Sequence, residues 1–323
     1  MGFDVIGVYL RLHDREAYFQ KNISKIERVA KYLNIKFIIL DLRENFNKHV
    51  YQPFIKSYKS GETPNPCAIC NREIKFGELF DFAEKNLKAD FLATGHYLKH
   101  DGEFLFTAKD NSKDQSYFLF NIRKERIKNI IFPLANLTKD EVKREISKID
   151  ELAFLINESE SSEICFVENE YIDVLRENNV KNVDKNGIVV NINGENIGTH
   201  SGYMHYTIGK RRGFSVRVAH QPHYVIDIIP YENKIVVGEK SQLAVSKVYL
   251  RDLNMFIDEL NFECFIKLRY RSKAIKCLVN IFIENEKKSA EIELLEPMFG
   301  VAKGQAGVFY NEAGKLLGGG WII

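Results

Sequence analysis

The chain has no apolar run approaching the roughly 18 residues that span a bilayer. Its opening, Met1-Gly-Phe-Asp-Val-Ile-Gly-Val-Tyr-Leu10, has neither a basic leader region nor a small-residue cleavage site. The expectation is a cytoplasmic chain with no membrane partner. Cysteine is sparse: Cys67, Cys70, Cys165, Cys264 and Cys277 form an odd number at irregular spacing, which fits a reducing compartment rather than a secreted disulfide framework. These thiols are then either packing or chemistry. Excess charge is also lacking, because 46 Lys and Arg against 44 Asp and Glu leave a formal +2. Any nucleic-acid surface must therefore come from local clustering. No repeat period or low-complexity tract is evident. What remains is a composition 45% hydrophobic and 28% charged over 323 residues, enough for two or three domains that each bury a core.

The first half alternates short apolar runs with helical stretches. Val5–Leu10 reads as a strand, Ile23, Ile26, Val29, Ala30 and Leu33 recur at helical spacing, and Phe37–Asp41 reads as the next strand. That is a βαβ unit. A further helix over Lys75–Asn86 feeds Phe91–Thr94, so the pattern predicts an α/β domain with a doubly wound parallel sheet. Ligands in such sheets sit at the carboxyl ends of the strands, which directs attention to Tyr9–His13, Asp41 and Thr94–Tyr97. The chain enters directly on a strand, as though after a first helix. After about residue 171 the texture changes to short strands separated by Gly and Asn turns, and from Phe262 strands follow closely to Gly318-Gly-Gly-Trp-Ile-Ile323. The expected organisation is an α/β domain over 1–171, a small linking domain over 172–240 and a C-terminal β domain, a small β-barrel or sandwich, over 241–323.

Several constellations offer chemistry. Cys70 follows the rigid Thr63-Pro-Asn-Pro66 and precedes Asn71-Arg-Glu-Ile-Lys75, which predicts a thiol at a helix start beside cations, where its pKa falls. The alternatives are a buried structural cysteine or half of a Cys67-x-x-Cys70 metal knuckle, although structural zinc wants four ligands and no second knuckle exists. Cys165 ends the polar stretch Asn157–Glu163; taken alone it reads as packing. Gly95 lets a ligand approach the backbone and His96 projects from the same strand end, or the two form only a tight turn. Lys113, Asp114 and Gln115 offer a cation, a carboxylate and an amide for phosphate and base edges, as does any charged surface turn. Lys210-Arg-Arg212 after Tyr206, and Arg269-Tyr-Arg271 with Lys273, interleave basic and aromatic side chains as an RNA groove does.

Taken in order, Thr63-Pro-Asn-Pro-Cys-Ala-Ile-Cys-Asn-Arg-Glu-Ile-Lys-Phe76, Ala93-Thr-Gly-His-Tyr97, Lys113-Asp-Gln-Ser-Tyr-Phe-Leu119, Ser162-Glu-Ile-Cys-Phe166, Gly202–Gly213 and Gly304-Gln-Ala-Gly-Val-Phe-Tyr310 closely resemble the tRNA-specific 2-thiouridylases of bacteria. The resemblance implies an adenine-nucleotide alpha-hydrolase-like fold of the N-type ATP pyrophosphatases. It also implies ATP with Mg2+ as substrate, tRNA and a sulfur-relay donor protein as partners, and sulfur replacing O2 of the wobble uridine. By the same resemblance Cys165 bears a persulfide and Cys70 is the nucleophile that assists release, the two forming a disulfide in the cycle. Leu10 and Gly95 match positions that touch ATP. Asn65, Pro66 and Cys67 match the segment against the target base, and His96, Lys113, Asp114, Gln115, Arg269, Tyr270 and Gln305 match tRNA contacts. Cys67 stands where the family commonly has an acidic residue, so no carboxylate is available there for proton transfer.

The family opens with a strand and a Ser-Gly-Gly-Val-Asp-Ser loop that cradles pyrophosphate. No such sequence occurs here, and Gly2-Phe-Asp-Val-Ile-Gly-Val matches the family just after it. The expectation is that about 30 residues, the scale of one βα element, are absent from the sequence and that it binds ATP poorly. Two other readings stand beside the thiouridylase: a short tRNA-binding product unable to adenylate, and a zinc or redox protein using Cys67 and Cys70.

Overall fold

The computed structural model describes residues 2–156, 164–217 and 222–323. The polar stretch Asn157–Glu163, including Ser162 and Glu163 of the Cys165 motif, lies outside the described residues. Strand β1 (Ile6–Arg11), helix α1 (Glu16–Leu33) and strand β2 (Lys36–Asp41) form the expected βαβ unit, with β1 and β2 parallel from Ile6 opposite Lys36 to Arg11 opposite Asp41. Helix α1 turns Phe19, Ile23 and Ala30 inward, at the spacing of one helical face, and stops at Asn34 in the left-handed conformation. Short α2 (Arg43–Phe46), a π-helical turn over Asn47–Tyr51 and α3 (Gln52–Lys59) lead to a second helical run. That run comprises α4 (Pro66–Cys70), a π-helical segment over Asn71–Glu78 and α5 (Leu79–Leu87). Strand β3 (Leu92–Ala93) then pairs in parallel with β6 (Ile130–Ile131), while β4 (Lys99–His100) and β5 (Leu105–Phe106) form a hairpin between them. Helices α6 (Lys139–Ser147) and α7 (Tyr171–Glu177) follow.

The α/β class holds, with a difference: the parallel strands make two separate pairs, β1–β2 and β3–β6, in place of one sheet. No residue of β1 or β2 is buried, although parallel sheets normally have both faces covered.

A five-stranded sheet of order β10-β11-β7-β8-β9 follows, made from β7 (Gly187–Val190), β8 (Asn196–His200), β9 (Phe214–Val216), β10 (Tyr224–Ile229) and β11 (Lys234–Gly238). The last unit is a closed six-stranded barrel of β12 (Ala244–Met255), β13 (Asn261–Lys267), β14 (Ile275–Glu284), β15 (Lys287–Phe299), β16 (Ala306–Tyr310) and β17 (Leu316–Ile322). Along β14, Cys277, Val279 and Ile281 are buried and alternate with exposed residues, the period of two expected of a barrel wall.

Three cores hold these units. The first joins Phe46, Phe54, Tyr58, Cys70 and Ile74 to Val189, Val225 and Ile235 of the central sheet. The second joins Ala68, Phe76, Phe80, Tyr117 and Phe120 to Ala306, Val308 and Tyr310 of the barrel, and the third fills the barrel. The cysteine-bearing helical run thus sits at the seam, with one face in each shared core.

Candidate functional site of paired thiols

The segment ahead of the cysteines is held from all sides. Thr63 donates its amide to Lys303 O at 2.8 Å, and Gln305 Nε2 donates to Thr63 O and Pro64 O, both at 3.0 Å. Thr63 Oγ1 also bonds Thr207 Oγ1 of the central unit at 2.5 Å. Gly304 has φ +84°, and a Cβ there would stand 3.0 Å from Thr63 O and 2.9 Å from Glu62 Cβ, so this close approach requires glycine.

The helix begins earlier than expected. Asn65 is the N-cap, its Oδ1 accepting from Ala68 N at 3.3 Å, and Pro66 fills the first helical position, a pairing that suits both residues. Cys70 therefore lies at the last residue of α4 inside a continuous run, and the helix N-terminus supports Cys67 and Ala68 instead. The expectation of a Cys70 thiol lowered by a helix start is overturned: Cys70 is 7% exposed, and burial pushes its pKa up to about 12, against the opposing pull of Lys75. Burial likewise pushes Cys67 up to about 11.

Cys165 stands in the turn that precedes Phe166, and Phe166 anchors it by packing its ring on Phe46, Tyr51 and Phe54 at 5.6, 5.2 and 5.0 Å. As a residue Cys165 is exposed, yet its thiol is enclosed enough that burial raises its pKa. The charge of Cys165 acts on both Cys67 and Cys70, so the structure brings the three thiols into one electrostatic neighbourhood. All three are free thiols. A cavity of about 360 Å³ opens beside this turn, lined by Ile164, Val167, Tyr171, His205 and Lys210 among others.

Other candidate residues are turned to internal work. His96 does not project into an open cleft; it is 8% exposed, packs on Phe76 at 5.7 Å and bonds Thr94 Oγ1 through Nδ1 at 2.9 Å. Burial, aided by Lys75, drops its pKa to about 3, so the ring is neutral. Asp114 is 4% exposed and accepts from Ala108 N at 3.0 Å and Ser116 Oγ at 2.8 Å, with Lys267 Nζ at 3.6 Å. Gln115 Oε1 accepts from Tyr97 N at 2.9 Å. These side chains have partners within the fold, Asp114 and Gln115 accepting from the backbone amides of Ala108, Ser116 and Tyr97. Gln305 is engaged on Thr63 and Pro64 as described. Lys113 is half-buried, Arg269 is exposed, and Tyr270 packs on Phe118 at 4.5 Å with the rings tilted by 42°. Asn65 Nδ2 is buried with no hydrogen-bond partner.

Leu10 lies near the carboxyl end of β1 and packs against the first core. Gly95 follows β3, where an added Cβ would meet only Leu134 Cδ1, at 3.8 Å. Among the described residues no group of three or more His, Cys, Asp or Glu side chains is placed to hold a metal, and no helix is long and apolar enough to cross a membrane.

Arg126 matters although the sequence did not single it out, and Asn71, Arg72 and Lys75, noted only as the segment after Cys70, gain defined partners. Asn71 Nδ2 donates to Phe118 O at 3.0 Å and Arg72 Nη1 to Asn121 O at 2.7 Å, tying the cysteine helix to the 113–119 motif. Arg126 is 9% exposed, donates to Gly77 O at 2.9 Å and pairs with Asp81 at 2.6 Å, capturing a carbonyl at the π-helical segment. Lys75 is the cation whose field reaches Cys67, Cys70, Cys165 and His96 together. The Asn65-Pro66 pair, a cap followed by a first-turn proline, was the signal available for the true helix start.

Comparison with known proteins fits this arrangement. Residues 1–169 match the model described as the tRNA methyl transferase HUP domain, 178–239 the tRNA methyl transferase PRC-barrel domain, and 242–322 the aminomethyltransferase beta-barrel domain. A relative named tRNA-specific 2-thiouridylase MnmA, from a Nitratiruptor species, is 55% identical over 322 residues, 100% of this chain and 93% of the relative. Proteins of the same name from Sulfurimonas denitrificans and Campylobacter jejuni (strain RM1221) are 49% and 48% identical, over 99% and 100% of this chain and 92% and 93% of their own lengths. With identity of this order along the whole chain, and with the paired thiols on a helix inside the HUP match, the chain belongs to the family of tRNA-specific 2-thiouridylases.

Proposed function

We propose that the protein replaces O2 of the wobble uridine (U34) of tRNA by sulfur in an ATP-dependent reaction, with Cys165 carrying the sulfur as a persulfide and Cys70 as the answering thiol. The observation that carries this reading is the convergence of Cys67, Cys70 and Cys165 in a chain of this family. A paired thiol is what sulfur transfer and its resolution require, and on that ground sulfur is preferred over the methyl transfer in the family description. ATP, with Mg2+, adenylates the uracil oxygen and so supplies AMP as the leaving group. The terminal sulfur of the Cys165 persulfide attacks C2. The Cys70 thiolate then attacks Cys165 Sγ, a disulfide forms between them, and the electron pair of the broken S–S bond stays with the sulfur on C2. A dithiol reductant and a sulfur-relay donor protein reset the site.

For tRNA, the reading assigns Asn65, Pro66 and Cys67 to the target base. Arg269, Lys113 and Tyr270 supply the outer contact, while His96, Asp114, Gln115 and Gln305 shape the surface from within. Cys67 brings no carboxylate, so its part is contact rather than proton transfer.

On the nucleotide side, the open space over Gly95 fits a ligand's approach. The described residues do not form a triphosphate cradle. The turn from β1 into α1 is not glycine-rich, and Arg11 and Arg15 there pair with Glu16 at 2.7 Å and Glu168 at 3.3 Å.

The test is a thiolation assay with tRNA, ATP and a sulfur donor. The unsubstituted protein should bind ATP and thiolate tRNA. Cys165→Ala and Cys70→Ala should each abolish product, and Cys67→Ala should retain activity within about tenfold. Continued thiolation by the Cys165→Ala protein would falsify the role given to Cys165.

A further inference from the structure

Resting on the reading of Cys70 and Cys165 as reacting thiols, we propose that Lys75 is the positioning residue that holds a negative charge on either sulfur, one ammonium serving both. Its placement is a consequence of the π-helical segment. In an α-helix a residue five positions on from Cys70 would point about 140° away from it, at 100° per residue. A π-helix closes its hydrogen bonds from i to i+5, and Cys70 immediately precedes the π-helical Asn71–Glu78, which ends with Leu79 N donating to Ile74 O. Residues five apart are therefore brought round to one side. The segment is fixed by its neighbours: Arg126 holds the Gly77 carbonyl at 2.9 Å, and a Cβ at Gly77 would stand 2.8 Å from Arg72 O, five residues back.

The charged and titratable groups around the thiols come from each packed element. Cys67 and Lys75 lie on the helical run, Cys165 on its turn, Arg15 precedes α1, and neutral His96 follows β3. Arg15 reaches Cys165 but is paired with Glu168 at 3.3 Å. Lys75 is half-buried, and among the described residues no carboxylate lies within ion-pairing distance of it. Burial disfavours a thiolate at each sulfur, so a thiol that is to react needs a nearby cation. Lys75 alone among the described side chains reaches all three. Charge can then pass from one sulfur to the other during disulfide formation without a change of counter-ion.

The test reads thiolates directly, with neither tRNA nor ATP, so its outcome is separate from that of the thiolation reading. Iodoacetamide alkylation of each cysteine in the full chain is followed by peptide mass spectrometry from pH 6 to 10 in wild type, Lys75→Met, Lys75→Gln and Lys75→Arg. Cys264 and Cys277, buried in the barrel, are internal references. The expected result is a fall of about tenfold at pH 8 for Cys70 and Cys165 in the Met and Gln variants, the loss of thiolate that follows when a thiol pKa rises by about 1. The Arg variant should stay within about threefold of wild type. Unchanged profiles in Lys75→Met or Lys75→Gln overturn the proposal, as does an equal fall in Lys75→Arg, which would make shape rather than charge the cause. Either of these outcomes leaves the function reading intact.

Discussion

The first parallel pair and the terminal barrel are built from similar β-branched and aliphatic residues, yet they solve the edge problem in opposite ways. In β16 all five residues are buried, and in β17 all but Trp321, because closure leaves no unpaired strand and the outer face of these two strands packs in the core shared with Tyr117 and Phe120. In β1–β2 no residue is buried, and Ile6 and Ile39 are 38% and 46% exposed. The lesson is that a closed sheet docked on a neighbouring unit is covered on both faces at the contact, whereas the parallel pair is only partly covered.

The largest effect is expected in the barrel core. Ile266→Ala, at a side chain with 0% exposure, should cost about 2–5 kcal/mol in urea unfolding; a loss under about 1 kcal/mol would erase the contrast. Acid should act on the N-terminal side first. His96 is held neutral with its pKa down at about 3, while the unfolded imidazole titrates near 6.5. Between those values the unfolded chain binds the extra proton, so stability falls as pH drops through the window, by up to about 1.4 kcal/mol per pH unit. His96→Asn should flatten this slope for the N-terminal unit, as measured by pH-dependent melting, and an unaltered slope would assign it to another group. Gln305→Ala, which leaves two carbonyls unpaired at the junction of the two regions, should cost about 1–3 kcal/mol. Equal stability of that variant would show that water replaces the amide. Smallest of all, Val8→Ala in β1 should cost less than about 1 kcal/mol, since the side chain is only half-buried. Fast amide exchange in β1 and β2 beside slow exchange in β16 and β17 is the matching observation, and equal protection would break the comparison.

Much of this was legible beforehand. The βαβ opening and the strands after residue 171 follow from local periodicity and turn residues, which report short-range structure, whereas closure of the last strands into a barrel rather than a sandwich rests on long-range pairing. The convergence of Cys165 on Cys67 and Cys70 comes through resemblance rather than periodicity. What stayed hidden was hidden for physical reasons. A π-helical segment breaks the 3.6-residue period, so periodicity starts the helix around Cys70 several residues late although Asn65-Pro66 marks its start. Asp114, Gln115 and Gln305 have the letters of a surface, and only their partners elsewhere in the chain, Lys267, Tyr97 and Thr63, show the contacts they make inside the fold. A side chain's partner across the fold is not written in its neighbours.

The grip on Thr63 and Pro64 has a consequence for how the protein is made. Their carbonyls are held by Gln305, Thr63 N by Lys303, and the Thr63 hydroxyl by Thr207, contacts separated by well over a hundred residues of chain. Synthesis delivers residues in order, at about 5–20 per second, and contacts of such long sequence separation form late. The cysteine helix is therefore translated early and set in place last. The reactive geometry appears only once the barrel has emerged, and a nascent chain passes most of its synthesis with its thiols present but the segment ahead of them unfixed.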